Sequence, residues 1–166
     1  FRAGSYAADT RTVDSLDSAG ITFDTSYNPA LMGSHCRIAT DEPLFAPRRF
    51  GDIIEIPVSC ISERAGHLRH TQIAACSSRE IERALSQAEH YGWWSFVIAP
   101  HSFELIRRDP RTGAARPDAI AARRFDRLCE FLAANRDRFE TCSFAELNPD
   151  EIPTDLSPPP ATTNVV

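Results

Sequence analysis

The chain has 166 residues, 42% hydrophobic and 25% charged, with a net charge of −5: enough length and apolar content for one domain with its own core. All 18 basic residues are Arg, and an acidic balance of this kind argues against a nucleic-acid-binding face. No apolar run nears the ~20 residues that cross a bilayer. The five Cys are scattered, odd in number and free of any C-x-x-C pair, which argues against a disulfide framework and favours a reducing compartment such as the cytoplasm, with cell envelope or secretion left open.

Taken in chain order, Phe1-Arg2-Ala3-Gly4-Ser5-Tyr6 reads as the interior of a domain rather than a leader, so the chain is expected to start at a cut. Residues 10–19 predict a short helix with Val13 and Leu16 inward, closed by Gly20. Ile21-Thr22-Phe23 alternates as a strand does. Residues 24–29 form a polar loop, and residues 30–50 lack a clean period, an irregular excursion with room for a short hairpin.

Residues 52–59 are β-rich, with Pro57 marking an edge or a strand end, and residues 71–75 are a further candidate extended piece. From 78 to 91 the pattern is helical. Ser77 and Glu80 have capping-box spacing, and Ile81, Ala84, Leu85 and Ala88 share one face. The unbroken apolar run 94–99 suits a strand covered on both sides. Residues 109–116 are turn-rich.

A long helix starts at Pro117 or Asp118 and runs to about Phe139, burying Ala121, Phe125, Leu128 and Leu132, with Cys129 as a small core residue. A last strand is expected at 141–144. From Pro149 the pattern fades into a Pro/Thr-rich stretch, 149–166, of disordered composition. Strands alternating with helices argue for an α/β fold with a largely parallel sheet or barrel.

In such folds functional residues collect at the carboxyl ends of strands. Asp24 directly follows the strand 21–23. His101 follows the run 94–99 after Pro100. Arg2 follows whatever strand precedes Phe1. These three would open onto one face.

The residues that carry this placement also resemble a family. Phe1-Arg2-Ala3-Gly4-Ser5-Tyr6 is similar to the Arg-x-x-x-Tyr block of the polysaccharide deacetylases, the chitooligosaccharide-deacetylase homology family. Gly20-Ile21-Thr22-Phe23-Asp24-Thr25-Ser26-Tyr27-Asn28 resembles the next strand block, and Ile98-Ala99-Pro100-His101-Ser102-Phe103-Glu104-Leu105 the late strand that delivers a catalytic His. The resemblance runs from Phe1 to about Leu147.

It implies a distorted (β/α) barrel whose N-terminal strands lie outside this chain, residues 1–148 being the C-terminal part of a deacetylase-like catalytic domain. The implied reaction is metal-dependent hydrolysis of acetyl groups on a polysaccharide or amino sugar. The implied partner is an acetylated polysaccharide or oligosaccharide, and the implied cofactor a divalent metal, zinc in the usual case. His101 would be the general acid, Arg2 would orient the catalytic Asp, and Asp24 would hold Arg2 or His101. Tyr6 would line the groove and turn its backbone N–H toward the oxyanion, while Tyr27 and Phe103 would offer aromatic surface to a sugar ring.

The family's Asp-Asp pair and paired His ligands have no counterpart here, so the chain alone is expected to be inactive. The alternative reading is a catalytically inactive carbohydrate-binding relative. Two further readings compete. His67 and His70, flanked by Cys60 and Cys76, are residue types that bind zinc, and Trp93-Trp94 is a candidate partner surface. Glu104 reads as an exposed or capping carboxylate, and His90 as a cation suited to a helix C-terminus.

Overall fold

Helix α1 (Thr10–Ser18) begins at a reciprocal cap. Asp9 accepts from the Thr12 amide at 2.9 Å, and Asp9 N–H donates to the Thr12 hydroxyl at 3.3 Å. This satisfies amides that a helix start leaves without intrahelical partners. Val13 and Leu16 are buried, and the chain turns out through Gly20 at φ 69°. In this computed structural model, residues 1–64 and 66–162 are described.

The first sheet holds β1 (Phe23–Asp24), β2 (Arg48–Phe50) and β3 (Ile53–Glu55), in the order β1-β3-β2. β3 runs parallel to β1, with Asp24 opposite Glu55, and antiparallel to β2. The excursion 30–50 thus ends in one arm of a hairpin, and the β-rich stretch 52–59 contributes a strand of only three residues.

Phe1 adds to this sheet. Its amino group donates to Phe23 O at 2.6 Å, and Thr25 N–H donates to Phe1 O at 3.0 Å. That alternation is the signature of a parallel pairing between Phe1 and Asp24. Phe1, β1 and β3 therefore lie side by side and point the same way.

The second sheet is β5-β4-β8: β4 (Cys60–Arg64) and β5 (His67–His70) form an antiparallel hairpin, and β8 (Ala161–Thr162) runs parallel to β4. The sequence reading placed an extended piece at 71–75 instead. The polar run Ser62-Glu63-Arg64 reads as loop, but a hairpin with one wet face carries polar residues at alternate positions.

Helix α2 (Ser78–His90) has the expected cap between Ser77 and Glu80, and Ile81, Ala84, Leu85 and Ala88 are buried. The apolar run 94–99 is not a ladder strand. Its backbone bonds are isolated: Ser59 N–H to Val97 O, Val97 N–H to Ser59 Oγ, and Ala99 N–H to Thr71 O. Alternation survives, since Phe96 and Ile98 pack on one core while Val97 packs on two others.

β6 (Ile106–Arg108) and β7 (Ala115–Pro117) form an exposed hairpin around the 109–114 turn. Helix α3 (Ala119–Ala134) starts at Asp118, which accepts from the Ile120 and Ala121 amides, and it ends at Asn135 rather than near Phe139. Ala121 and Leu128 are buried, but Phe125 is 39% exposed and Cys129 is exposed, so neither joins the core. α3 packs on the α2 face through Leu128, with the half-buried Phe131 and Leu132 beside it.

A 3₁₀ turn, Phe144–Glu146, replaces the strand expected at 141–144. The stretch read as a disordered tail is placed as far as residue 162: Ile152 and Ala161 are buried, and Trp93 Nε1–H donates to Pro159 O at 3.0 Å. Residues 163–166 lie outside the described residues. The fold is mixed α/β, and among the described residues its three small sheets do not close into a barrel.

Candidate functional site

At the carboxyl ends of β1 and β3, Asp24 and Glu55 face each other with no exposure at all. Asp24 Oδ1 accepts from Ser26 Oγ at 2.7 Å, and Glu55 Oε1 accepts from Tyr27 N–H at 2.9 Å. Asp24 Oδ2 and Glu55 Oε2 have no partner. Burial pushes the Glu55 carboxyl well above its ordinary range, and the neighbouring Asp24 pushes it further. Two carboxylates side by side in a dry interior cannot both ionise cheaply.

Ser26 Oγ also receives Ala3 N–H at 2.9 Å, and Arg2 Nη2 lies 3.5 Å from Thr25 Oγ1. The N-terminal segment is thus tied to the end of β1. It then makes a 3₁₀ turn in which Ser5 and Tyr6 both take left-handed backbone angles, φ 54° and 57°. This turn drives the Tyr6 ring inward over Val58 and Ala99, 5.9 Å from the His70 ring. Burial raises the Tyr6 hydroxyl pKa; Arg2 draws it back, while Cys60 and Glu104 push it up.

Beside Tyr6 runs a polar chain. His70 Nε2 is 3.1 Å from Gln72 Oε1, and the Gln72 amide donates to Glu104 Oε1. Glu104 Oε2 is buried and unpartnered, so this residue is not the exposed or capping carboxylate expected of it. Glu104 N–H donates to the carbonyl of His101, the residue that caps the 3₁₀ turn Ser102–Leu105. The His101 ring is exposed and stacks on Phe103 at 4.9 Å, interplanar angle 10°. Phe103 is 68% exposed.

The sequence-predicted residues are thus partly gathered. Arg2, Tyr6 and His101 share one neighbourhood, linked through Ala99 and the Glu104 chain. Asp24 bonds Ser26 and faces Glu55 rather than Arg2 or His101. Tyr27 is wholly buried, its hydroxyl 2.9 Å from Thr40 Oγ1, so it presents no face to a sugar. The Tyr6 N–H is already given to Ala3 O at 3.1 Å, which leaves no donor there for an oxyanion.

Glu55, His70 and Gln72 escaped the sequence reading of this site. A lone Glu inside Ile53-Ile54-Glu55-Ile56 was the available signal for the first. The other two meet Tyr6 only through β5, which no local pattern announced. A cleft of about 550 Å³, lined by residues such as Thr40, Glu42, Leu44 and Arg48, includes none of Arg2, Tyr6 or His101.

The competing zinc reading divides on the hairpin. His67 Nδ1 pairs with Glu63 at 2.9 Å, Cys76 Sγ leans on His70 O at 3.8 Å, and burial pushes the Cys60 thiol up to about 12. Among the described residues, no three His, Cys, Asp or Glu side chains converge to hold a metal ion. These residues do not fit zinc by themselves. Trp93 stacks on Phe96 and only Trp94 reaches 37% exposure, a small surface for a partner anchor. No helix among the described residues is long and apolar enough to cross a membrane. No family model, curated protein or solved structure matches the chain.

Proposed function

We propose that this chain is the C-terminal part of a metal-dependent carbohydrate deacetylase, a hydrolase that frees acetate from an acetylated polysaccharide or amino sugar. The reading is supported by one observation above the rest. Phe1 pairs in parallel with β1, and β1 with β3, so Arg2 and Asp24 leave the same end of one sheet. Tyr6 then bridges from this end to Ala99, two residues before His101.

In this proposal His101, open to solvent and backed by Phe103, protonates the leaving amine or alcohol. Arg2, tethered through Thr25, orients the carboxylate that serves as base, and that base and the metal ligands come from outside this chain. Phe103 offers its face to a sugar ring. The Glu104–Gln72–His70 chain fixes the floor beneath.

The test is acetate release by the intact protein carrying His101→Ala. The expected result is a fall in kcat of about 10²–10⁴-fold with metal content unchanged. Unchanged acetate release, or loss of metal from a folded variant, would remove His101 from this role. If the native protein releases no acetate but binds glycan equally with and without a chelator, the binding-only reading, favoured by the exposed His101–Phe103 stack, takes its place.

A further inference from the structure

Hydrogen-bond accounting around Asp24 and Glu55 leaves one vacancy on each carboxyl. Asp24 Oδ1 takes the Ser26 hydroxyl and Glu55 Oε1 takes the Tyr27 amide. Asp24 Oδ2 and Glu55 Oε2 remain, both wholly buried and both without a donor. The two residues are register partners on parallel strands, so their carboxyls stand as neighbours on one side of the sheet in the same dry interior. A protonated carboxyl has one O–H donor, and an ionised one has only acceptors. One proton between these two oxygens satisfies both; none satisfies neither, and orphaned buried acceptors are costly.

We propose that Glu55 retains its carboxyl proton and donates it to Asp24, closing a buried chain that positions the Arg2–Tyr6 segment. The chain runs from Glu55 O–H to Asp24, where Ser26 O–H donates to the other oxygen, and Ser26 Oγ in turn receives Ala3 N–H. Its far end holds the residue between Arg2 and the left-handed turn. Glu55 and Asp24 are positioning residues, acting through Ser26 and Ala3. This holds whether or not the chain is a deacetylase.

Other charges facing the pair are few. The Phe1 nitrogen, where it is a free ammonium, draws Glu55 back down. Arg48 stands opposite Glu55 on β2 but is exposed and makes no hydrogen bond or ion pair with it. Tyr27 supplies only its backbone amide. A cation is the other way to satisfy the two oxygens, but two carboxylates and a hydroxyl are too few ligands for Ca²⁺, which takes six to eight oxygens.

Infrared spectroscopy of the chain at neutral pH reads the proton directly. Wild type should carry a protonated-carboxyl carbonyl band that Glu55→Gln lacks. Amide exchange at Ala3 reads the positioning. Glu55→Gln should keep Ala3 protected, because its carboxamide N–H replaces the proton. Ser26→Ala should speed Ala3 exchange about tenfold while the band stays.

Stability should fall as pH rises from the ordinary carboxyl range through the raised pKa of Glu55, since the neutral form is the one the fold stabilises. Glu55→Gln should flatten that slope. Absence of the band in wild type, its appearance only after a chelator is added, or Ala3 protection indifferent to Ser26→Ala would overturn the proposal.

Discussion

Two consecutive non-glycine residues in the left-handed region are uncommon, and each carries a steric cost of about 1–2 kcal/mol because Cβ crowds the following carbonyl. Ser5 and Tyr6 accept that cost at φ 54° and 57°. The return is the Tyr6 ring buried between Val58, Ala99 and His70, and strain of this kind gathers at functional sites. Ser5 is exposed. Glycine there keeps the turn and removes the Cβ clash, against a larger unfolded-state entropy. Ser5→Gly should therefore raise the urea midpoint, by about 0.5–1 kcal/mol of stability. A lowered midpoint would mean that the turn is not strained. The place of Asp24 at the carboxyl end of a strand was legible in the sequence, although the strand is Phe23–Asp24 rather than 21–23 and Asp24 bonds Ser26 rather than holding Arg2 or His101. Its partner was not, because Glu55 faces Asp24 only once β3 is laid beside β1. Tyr27, an aromatic in the same motif, gave no hint that it turns into the core, since a sequence motif carries no inside and outside.

At the scale of elements, α2 was the clearest reading, because its cap and its face are both local. Its first turn also carries the largest acid-side sensitivity. Burial pushes Glu80 up, but hydrogen bonds from Ser77 and the Arg69 guanidinium more than offset it, bringing its pKa down to about 2. A carboxyl depressed in the folded state contributes stability that is full above its ordinary pKa and is lost as pH falls through the folded one. Stability should thus decline between about pH 4.5 and 2. Allowing for the partial exposure of both side chains, the loss from this site is about 1–2 kcal/mol. Glu80→Gln should remove that acid limb and weaken the cap; an acid titration of stability by circular dichroism, unchanged by the substitution, would count against the assignment. The hairpin β4–β5 and the run 94–99 escaped for different reasons. The hairpin has one wet face, so its polar residues hide its ladder, whereas the run 94–99 is held by the side chains and backbone of Ser59 and Thr71 in place of ladder bonds, and partners so distant in sequence leave no period behind.

At the scale of the whole molecule, the Pro/Thr-rich stretch is where composition misled most. Proline runs lack amide donors and read as unpatterned chain, yet carbonyls and short extended pieces still bind. Pro159 O accepts from Trp93, and Thr162 N–H donates to Gln87 Oε1 at 2.7 Å. β8 lies against β4, where Ala161 is fully buried with Ile61, Ile81 and Leu85. These contacts join residues far apart in sequence, so no window of the chain contains them. They also cover one edge of β4, a row of backbone groups that would otherwise stand open to pairing. A chain ending at residue 158 should lose about 2 kcal/mol, from the ladder bonds, the Trp93 and Gln87 contacts and the buried Ala161, offset by the freed chain entropy. That corresponds to a Tm lower by about 4–8 °C for a domain of this size. Trp93 emission should shift to the red as its indole loses Pro159, and the bared β4 edge should make the shortened protein more prone to aggregate. An unchanged Tm with unchanged emission would return residues 159–162 to the status of a free tail.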